Sequence, residues 1–300
     1  MIDKLEFLIA IAHEKHFGRA AEACGVTQPT LSAGIKQLEE TLGVMLVRRG
    51  SRFLGFTHEG ERVLEWARRI VSDARGLRQD VEALKRGLTG HLRIAAIPTA
   101  LPMVASLTTP FQGRHPEVRY TVLSRTSEEI LELLANLNID AGLTYIDNEP
   151  LGNVTKIALY KERYCLVTEK TNPLAKRASV TWAEAATVPL CLLTRDMQNR
   201  RIIDRALQKA YAGATVMLES NSMIVLFSHI QSERWSSIMP EKLTQLFGLS
   251  QDIKTIPIVD EHEVYTVGLV AGPREPLTPL VSALMLEAKR VALILSSQGR

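Results

Sequence analysis

Three cysteines in 300 residues, Cys24, Cys165 and Cys191, are too few and too scattered for a disulfide framework. None has another Cys or a His at metal-ligand spacing, so no metal site is expected. The three suit small buried hydrophobes in a reducing compartment. No run approaches the roughly 18 uninterrupted apolar residues that a spanning helix requires. The opening residues, Met1 to Glu6, place acids and a base where an export signal needs a basic start and an apolar block. A cytoplasmic protein with no membrane partner is the expectation. No Gly-rich nucleotide fingerprint, nucleophile elbow or paired-carboxylate motif stands out, so neither a cofactor nor catalytic residues are expected. His13 and His16, near a turn between helices, suit surface or packing roles better than metal binding.

What is present is an ordinary globular composition, 46% hydrophobic and 23% charged, which excludes wholesale disorder and collagen-like repeats. The length suits two or three compact units. A net charge of +3 permits a polyanionic partner without demonstrating one, so the placement of charge matters more.

Helical signals crowd the first segment. Leu5, Leu8, Ile9 and Ala12 share one face of a helix over residues 3–14. A second runs over 17–24 and stops at Gly25. Thr27 can cap a third, with Pro29 in its first turn, continuing to Leu42. Residues 48–57 read as a basic, Gly-punctuated hairpin. From 59 to 88, Val63, Ile70, Leu77 and Leu84 stand seven apart, with Ala67, Ala74, Val81 and Leu88 between them. That a/d register predicts a dimerising linker helix; packing of a single helix onto a globular core, which usually shows a wider stripe, is the alternative. Trp66 on this helix is expected to pack against the preceding head.

Beyond Gly90, strands are predicted at 91–97, 118–124, 141–145, 164–168, 190–193, 216–218, 235–238, 253–257 and 265–270, interleaved with helices at 103–112, 127–137, 199–210, 223–231 and 278–295. Such alternation implies a parallel sheet covered on both faces, as one large α/β domain or two lobes with a cleft.

The first three helices have the proportions of a winged helix-turn-helix. Ala20 and Ala21 are small enough for close crossing, and Gly25 makes the turn. Thr27, Gln28, Thr30 and Ser32 then occupy the first turns of a recognition helix, with Lys36 one turn on for a phosphate. Gln pairs well with an adenine edge. Arg48, Arg49 and Arg52 on the hairpin would reach the backbone or the adjacent minor groove. The plainer reading is a solvated face on an ordinary helical bundle.

Phe17-Gly18-Arg19-Ala20-Ala21-Glu22, Gln28-Pro29-Thr30-Leu31-Ser32, Gln37-Leu38-Glu39-Glu40-Thr41-Leu42-Gly43, Arg48-Arg49 and Thr57-His58-Glu59-Gly60 together resemble the LysR-type transcriptional regulators. The resemblance covers the whole chain, with Asp140-Ala141-Gly142-Leu143 and Pro240-Glu241-Lys242-Leu243 as later landmarks. It implies an N-terminal winged helix (1–58) in which Arg19 and Pro29 join the DNA-binding set. It also implies a linker helix (59–89) and a two-lobed α/β effector domain (90–300) resembling periplasmic binding proteins. Lobe I would span about 90–162 and 268–300, lobe II about 163–267. The implied partners are double-stranded promoter DNA, a small effector between the lobes, a second copy in a dimer of dimers, and RNA polymerase. Activation is the implied output.

Two departures stand out. Ala33-Gly34 replace the basic residue usual after Ser32, which suggests a close backbone approach to DNA there, and Ser232-Glu233-Arg234-Trp235 replaces a Gly-rich turn. Asp196-Met197-Gln198-Asn199-Arg200-Arg201 and the stretch from Arg234 to Pro240 resemble a subgroup found beside formate dehydrogenase genes.

Effector candidates are the polar residues at strand-to-helix junctions, where exposed N–H groups bind anions. They are Thr99 and Ala100, Thr126 and Ser127, Thr194, Gln198 and Asn199, with Tyr145 facing the same crevice. Thr99 and Ser127 equally suit simple helix caps. Arg195 fits either a carboxylate partner or a solvated surface charge. A solute-binding protein would need an export signal and no winged helix; an enzyme fused to a DNA-binding module would need a catalytic constellation that is not visible. The heptad reading makes a direct prediction: Leu77→Asp disrupts dimerisation, and a sedimentation profile matching wild type would refute the coiled-coil assignment.

Overall fold

The computed structural model describes residues 1–48, 53–147, 150–232, 234–247, 250–259, 264–272 and 276–298. Helices α1 (Ile2–Glu14), α2 (Phe17–Ala23) and α3 (Gln28–Leu42) open the chain. Leu5, Leu8 and Ile11 of α1 meet Ala20 and Ala21 of α2 and Leu31, Ile35 and Leu38 of α3 in one apolar core. His16 has a definite task, accepting from the N–H groups of Gly18 and Arg19 to cap α2. Gly25 takes a φ of +66°, and Thr27 caps α3 by accepting from the Thr30 N–H. After α3 the chain doubles back, with the Arg48 N–H donating to Gly55 O and the Thr57 N–H to Leu46 O. These bonds form the base of the expected hairpin; its tip, with Arg49 and Arg52, lies outside the described residues. The buried carboxylate of Glu39 accepts from the N–H groups of Leu46 and Val47 at 2.8 and 3.2 Å and pins the hairpin to α3.

Helix α4 (His58–Arg86) starts at Thr57, whose side chain caps it. Leu64, Ala67 and Val71, three and four apart, are buried in the head core. Ala67 is therefore spent on packing within the chain, which removes it from the expected dimer stripe. Leu88 packs on the core of the following domain instead, and Val63 lies half-buried at the edge of the head core. Ala74 is half-buried, while Ile70, Leu77, Val81 and Leu84 remain exposed along the helix. Trp66 corrects another expectation. It is 58% exposed, with the Arg69 guanidinium 5.4 Å from its ring centroid, because the head-facing positions are 64, 67 and 71.

The next unit runs β1 (Gly90–Ala96), a short turn at Pro98–Ala100, α5 (Met103–Arg114), β2 (Val118–Ser124), α6 (Ser127–Ala135), β3 (Ala141–Tyr145) and β4 (Thr155–Glu162). A second unit follows with β5 (Tyr164–Glu169), α7 (Trp182–Ala185), β6 (Leu190–Leu193), α8 (Gln198–Lys209), β7 (Val216–Ser220), α9 (Met223–Ile230), β8 (Ser237–Pro240), α10 (Glu241–Phe247) and β9 (Ile253–Pro257). The chain then re-enters the first unit as β10 (Tyr265–Ala271) and closes on α11 (Pro279–Gln298). This return begins three residues before the expected lobe boundary at 268.

The all-parallel expectation fails in both lobes. Described residues of lobe I form a sheet ordered β2-β1-β3-β10-β4, in which β1 is parallel to β2 and β3 while β10 runs antiparallel to both its neighbours. In lobe II, β5 is antiparallel to β8 and β9, while β6 pairs in parallel with β7. Two chain crossings between lobes turn the direction of the strands that follow them. The missed strand β4 carries Lys156, Lys161 and Glu162, charged residues that break the apolar run expected of a buried strand. Strand β8 starts two residues later than expected, with Trp235 half-buried against His229 before it.

Gly60 lies where α4 passes the hairpin, and a Cβ there would stand 2.0 Å from the Leu46 carbonyl oxygen. In an open helix Gly→Ala would stabilise by up to about 1 kcal/mol. Here the backbone clash dominates, and Gly60→Ala is expected to destabilise the head by about 1–3 kcal/mol in urea unfolding. A gain in stability would contradict the contact.

Candidate functional site

On the head, Thr27, Gln28, Pro29, Thr30, Ser32 and Lys36 are all exposed along the first turns of α3. The Thr27 and Thr30 hydroxyls lie 2.9 Å apart and share the capping geometry, so Gln28 and Ser32 are the freer groups for base edges. Lys36 sits 3.8 Å from Glu40 in an exposed pair worth little. Arg19 donates to the Glu14 carboxylate and backbone carbonyl, which orients it beside α3. Arg48 is exposed at the hairpin base. Gly34 contradicts the idea of a close backbone approach to DNA. Its missing Cβ would stand 2.8 Å from the Phe7 ring, so the glycine serves the crossing of α1 and α3.

Between the lobes, Ser127, at the first residue of α6, donates its hydroxyl to Gln198, at the first residue of α8. Thr144 on β3 donates to Ser127 at 3.0 Å. Two helix N-termini from different lobes are thus joined by side chains, in the place where an anion would find N–H groups. Beside them, Asn199 donates to the hydroxyls of both Tyr145 and Tyr164 at 3.2 Å. Both tyrosines donate to Glu162, Tyr164 at 3.2 Å. Thr144, Glu162 and Tyr164 were not anticipated. A carboxylate closing a half-polar strand, next to a Tyr, was the available signal.

The remaining candidates divide. Thr99 and Ala100 are buried in the Pro98–Ala100 turn, and the Thr99 hydroxyl has no hydrogen-bond partner. The Thr194 hydroxyl is likewise buried and unsatisfied. Thr126 is engaged in a reciprocal capping box with Glu129. The Arg195 side chain is 80% exposed, 3.8 Å from Glu219, and so reads as a surface charge. The buried cation nearby is Arg200, which is paired with Asp204 and Glu219 and donates to Leu193 O.

Burial pushes the Glu162 carboxyl from its ordinary 4.5 up to about 7, against the opposing pull of the two tyrosine hydrogen bonds. Burial also pushes the Cys165 thiol up to about 12 and the Cys191 thiol to about 11, and it raises that of Cys24. Among the described residues, no cluster of His, Cys, Asp and Glu could hold a metal ion, and no helix is long and apolar enough to cross a membrane.

Comparison with known proteins decides what these surfaces belong to. Residues 85–292 match the family described as the LysR substrate binding domain, and residues 2–61 match the bacterial regulatory helix-turn-helix protein, lysR family. The chain belongs to the LysR family. This LysR protein is a DNA-binding transcriptional regulator with an effector-binding domain, not an enzyme. It is 31% identical over 280 residues to a hydrogen peroxide-inducible genes activator of Pectobacterium carotovorum, covering 92% of this chain and 91% of that one. A Haemophilus influenzae protein of the same name is 27% identical over 287 residues, covering 92% of each chain. A full-length OxyR variant from Pseudomonas aeruginosa shares the fold with a TM-score of 0.76 at 23% identity, over 96% of this chain and 94% of that one. The CbnR regulator in complex with its target DNA shares it with a TM-score of 0.60 at 21% identity, over 97% and 99%.

Glu162 gives a pH prediction with a definite sign. A carboxyl whose folded pKa lies above its unfolded value contributes most below about 4.5 and loses that contribution as pH rises through about 7. Glu162→Gln keeps a neutral hydrogen-bonding group in place. Denaturant unfolding is expected to show the variant gaining on wild type between pH 5 and pH 8, by up to about 3 kcal/mol. A difference independent of pH would rule out a titrating carboxyl at this position.

Proposed function

We propose that this LysR regulator binds an interrupted inverted repeat of promoter DNA as a homo-oligomer and changes transcription when a small anion enters between its lobes. The observation that carries the effector reading is the Ser127–Gln198 contact, which joins two helix N-termini across the lobes. An anion accepts from the N–H groups at both helix starts and must displace that contact to do so. Binding is then unequal for the joined and parted arrangements, the condition for a ligand to shift one against the other. The unsatisfied hydroxyls of Thr99 and Thr194 support the same crevice.

Exposed Gln28, Ser32, Lys36 and Arg48 support base and phosphate contacts by the head, 1–58. Exposed Ile70, Leu77, Val81 and Leu84 support pairing of the linker helix, 59–89, with a second copy. The effector domain, 90–300, would then move its lobes, change the disposition of paired heads and bend DNA differently, recruiting RNA polymerase or failing to.

The relatives' names raise a response to peroxide. A thiolate sensor needs a low-pKa, accessible cysteine. Burial raises all three thiols here, so a small-anion effector is the better supported reading.

Thermal unfolding of the full chain against formate, acetate, benzoate, phosphate and sulfate at fixed ionic strength tests this. Formate leads the panel because of the resemblance to regulators beside formate dehydrogenase genes. An effector at 100 times its Kd is expected to add about 2.7 kcal/mol, an effect that Thr99→Trp or Ser127→Trp should abolish. A stabilising anion that acts equally on both variants would place the effector outside the crevice.

A further inference from the structure

A cavity of about 400 Å³ lies away from the interlobe crevice, where the C-terminal half of α4 passes the edge of lobe I. Arg75, Arg78 and Gln79 line it from the helix, Arg93 and Asp140 from the lobe, with an apolar wall that includes Ile139 and Val281. Its volume falls in the range of ligand sites. Charge accounting shows what it lacks. Asp140 accepts from the Arg93 backbone N–H at 2.8 Å and from its guanidinium at 2.9 and 3.2 Å, so these two cancel. Arg75 donates to Glu6 of α1 and to the Leu137 carbonyl, both at 3.1 Å. Arg78 has no acidic partner among the described residues. Gln79 carries a buried amide oxygen with no donor. The cavity therefore offers an unanswered cation, an acceptor in want of a donor, and an apolar surface.

We propose that this cavity is a second ligand site, for a 2-hydroxy acid with an apolar side chain. The carboxylate answers Arg78, the hydroxyl donates to Gln79, and the side chain covers the apolar wall. An ammonium in place of the hydroxyl meets three guanidinium groups against one lining carboxylate, so amino acids bind less well. The position gives the site a regulatory lever. Arg75 joins α4 to the head through Glu6 and to the effector domain through Leu137, and Arg68 adds a bond to Asn136 at 2.7 Å. A ligand held by both walls stiffens that joint and biases how the head is carried.

Isothermal titration of the full chain with phenyllactate, 3-phenylpropanoate and phenylalanine tests the site. Phenyllactate is expected to bind saturably and more tightly than either comparator. Arg78→Ala, a change at an exposed position that leaves the fold intact, should weaken it about tenfold or more. Gln79→Leu should bring phenyllactate down to the level of 3-phenylpropanoate, and Ser72→Trp should fill the cavity and block both. Hydrogen exchange should show added protection over residues 68–79 when phenyllactate is bound. No saturable binding at millimolar phenyllactate, or binding unchanged in Arg78→Ala, overturns the proposal; the interlobe effector reading survives either result, since it involves neither residue.

Discussion

The two lobes share one continuous apolar core, and at their seam it encloses a single polar cluster built on a buried carboxyl. Glu162 ends the last strand of lobe I before the first crossing, and it is held by Tyr145 from its own lobe and Tyr164 from the other. Asn199 completes the set by donating to both hydroxyls. A buried polar group is costly unless satisfied, so rearranging the lobes would have to re-make these bonds together, although the second Glu162 oxygen is buried without a partner even here. That requirement favours a small number of discrete arrangements over continuous flexing. Asn199 is the second residue of α8, so the cluster stands directly beside the contact of Gln198 with Ser127.

A second dependence links the head to everything after it. Helix α4 is anchored three times: by Leu64, Ala67 and Val71 in the head core, by the Arg75–Glu6 pair, and by arginine bonds to the 136–137 turn of lobe I. The exposed pair contributes little by itself. Apolar burial supplies the strength, and the arginines supply register. A helix secured to both neighbours transmits rotation, which a flexible tether would absorb.

Much of this was legible in the residues, and the failures have physical causes. The winged head was readable because each local signal, the small alanines, Gly25, the Thr27 cap and Pro29, agreed with the next. The helix after it carries two overlapping stripes. Positions 63, 70, 77 and 84 obey a seven-residue repeat, yet 64, 67 and 71 serve the chain's own core, and periodicity alone could not assign Ala67 between them. Gly34 suggests an opening toward DNA in the sequence because the Phe7 contact that it serves joins residues remote along the chain. The crevice candidates on helix starts were found by position. Glu162 and Thr144 escaped because their partners lie on other strands, and the antiparallel strands escaped because direction after a lobe crossing leaves no local trace.

Strand β10 sits between β3 and β4 in the sheet of lobe I, though more than a hundred residues separate it from β4 in the chain. On the ribosome, lobe I therefore emerges with the place between β3 and β4 empty and stays incomplete until lobe II has been made. The head has no such wait: every fully buried member of its core, among the described residues, is translated before residue 72. Each nascent regulator thus has a period in which the part that reads DNA is finished and the part that senses is not. Order of synthesis, set by sheet topology, makes co-translational occupancy of DNA a question separate from the behaviour of the mature protein.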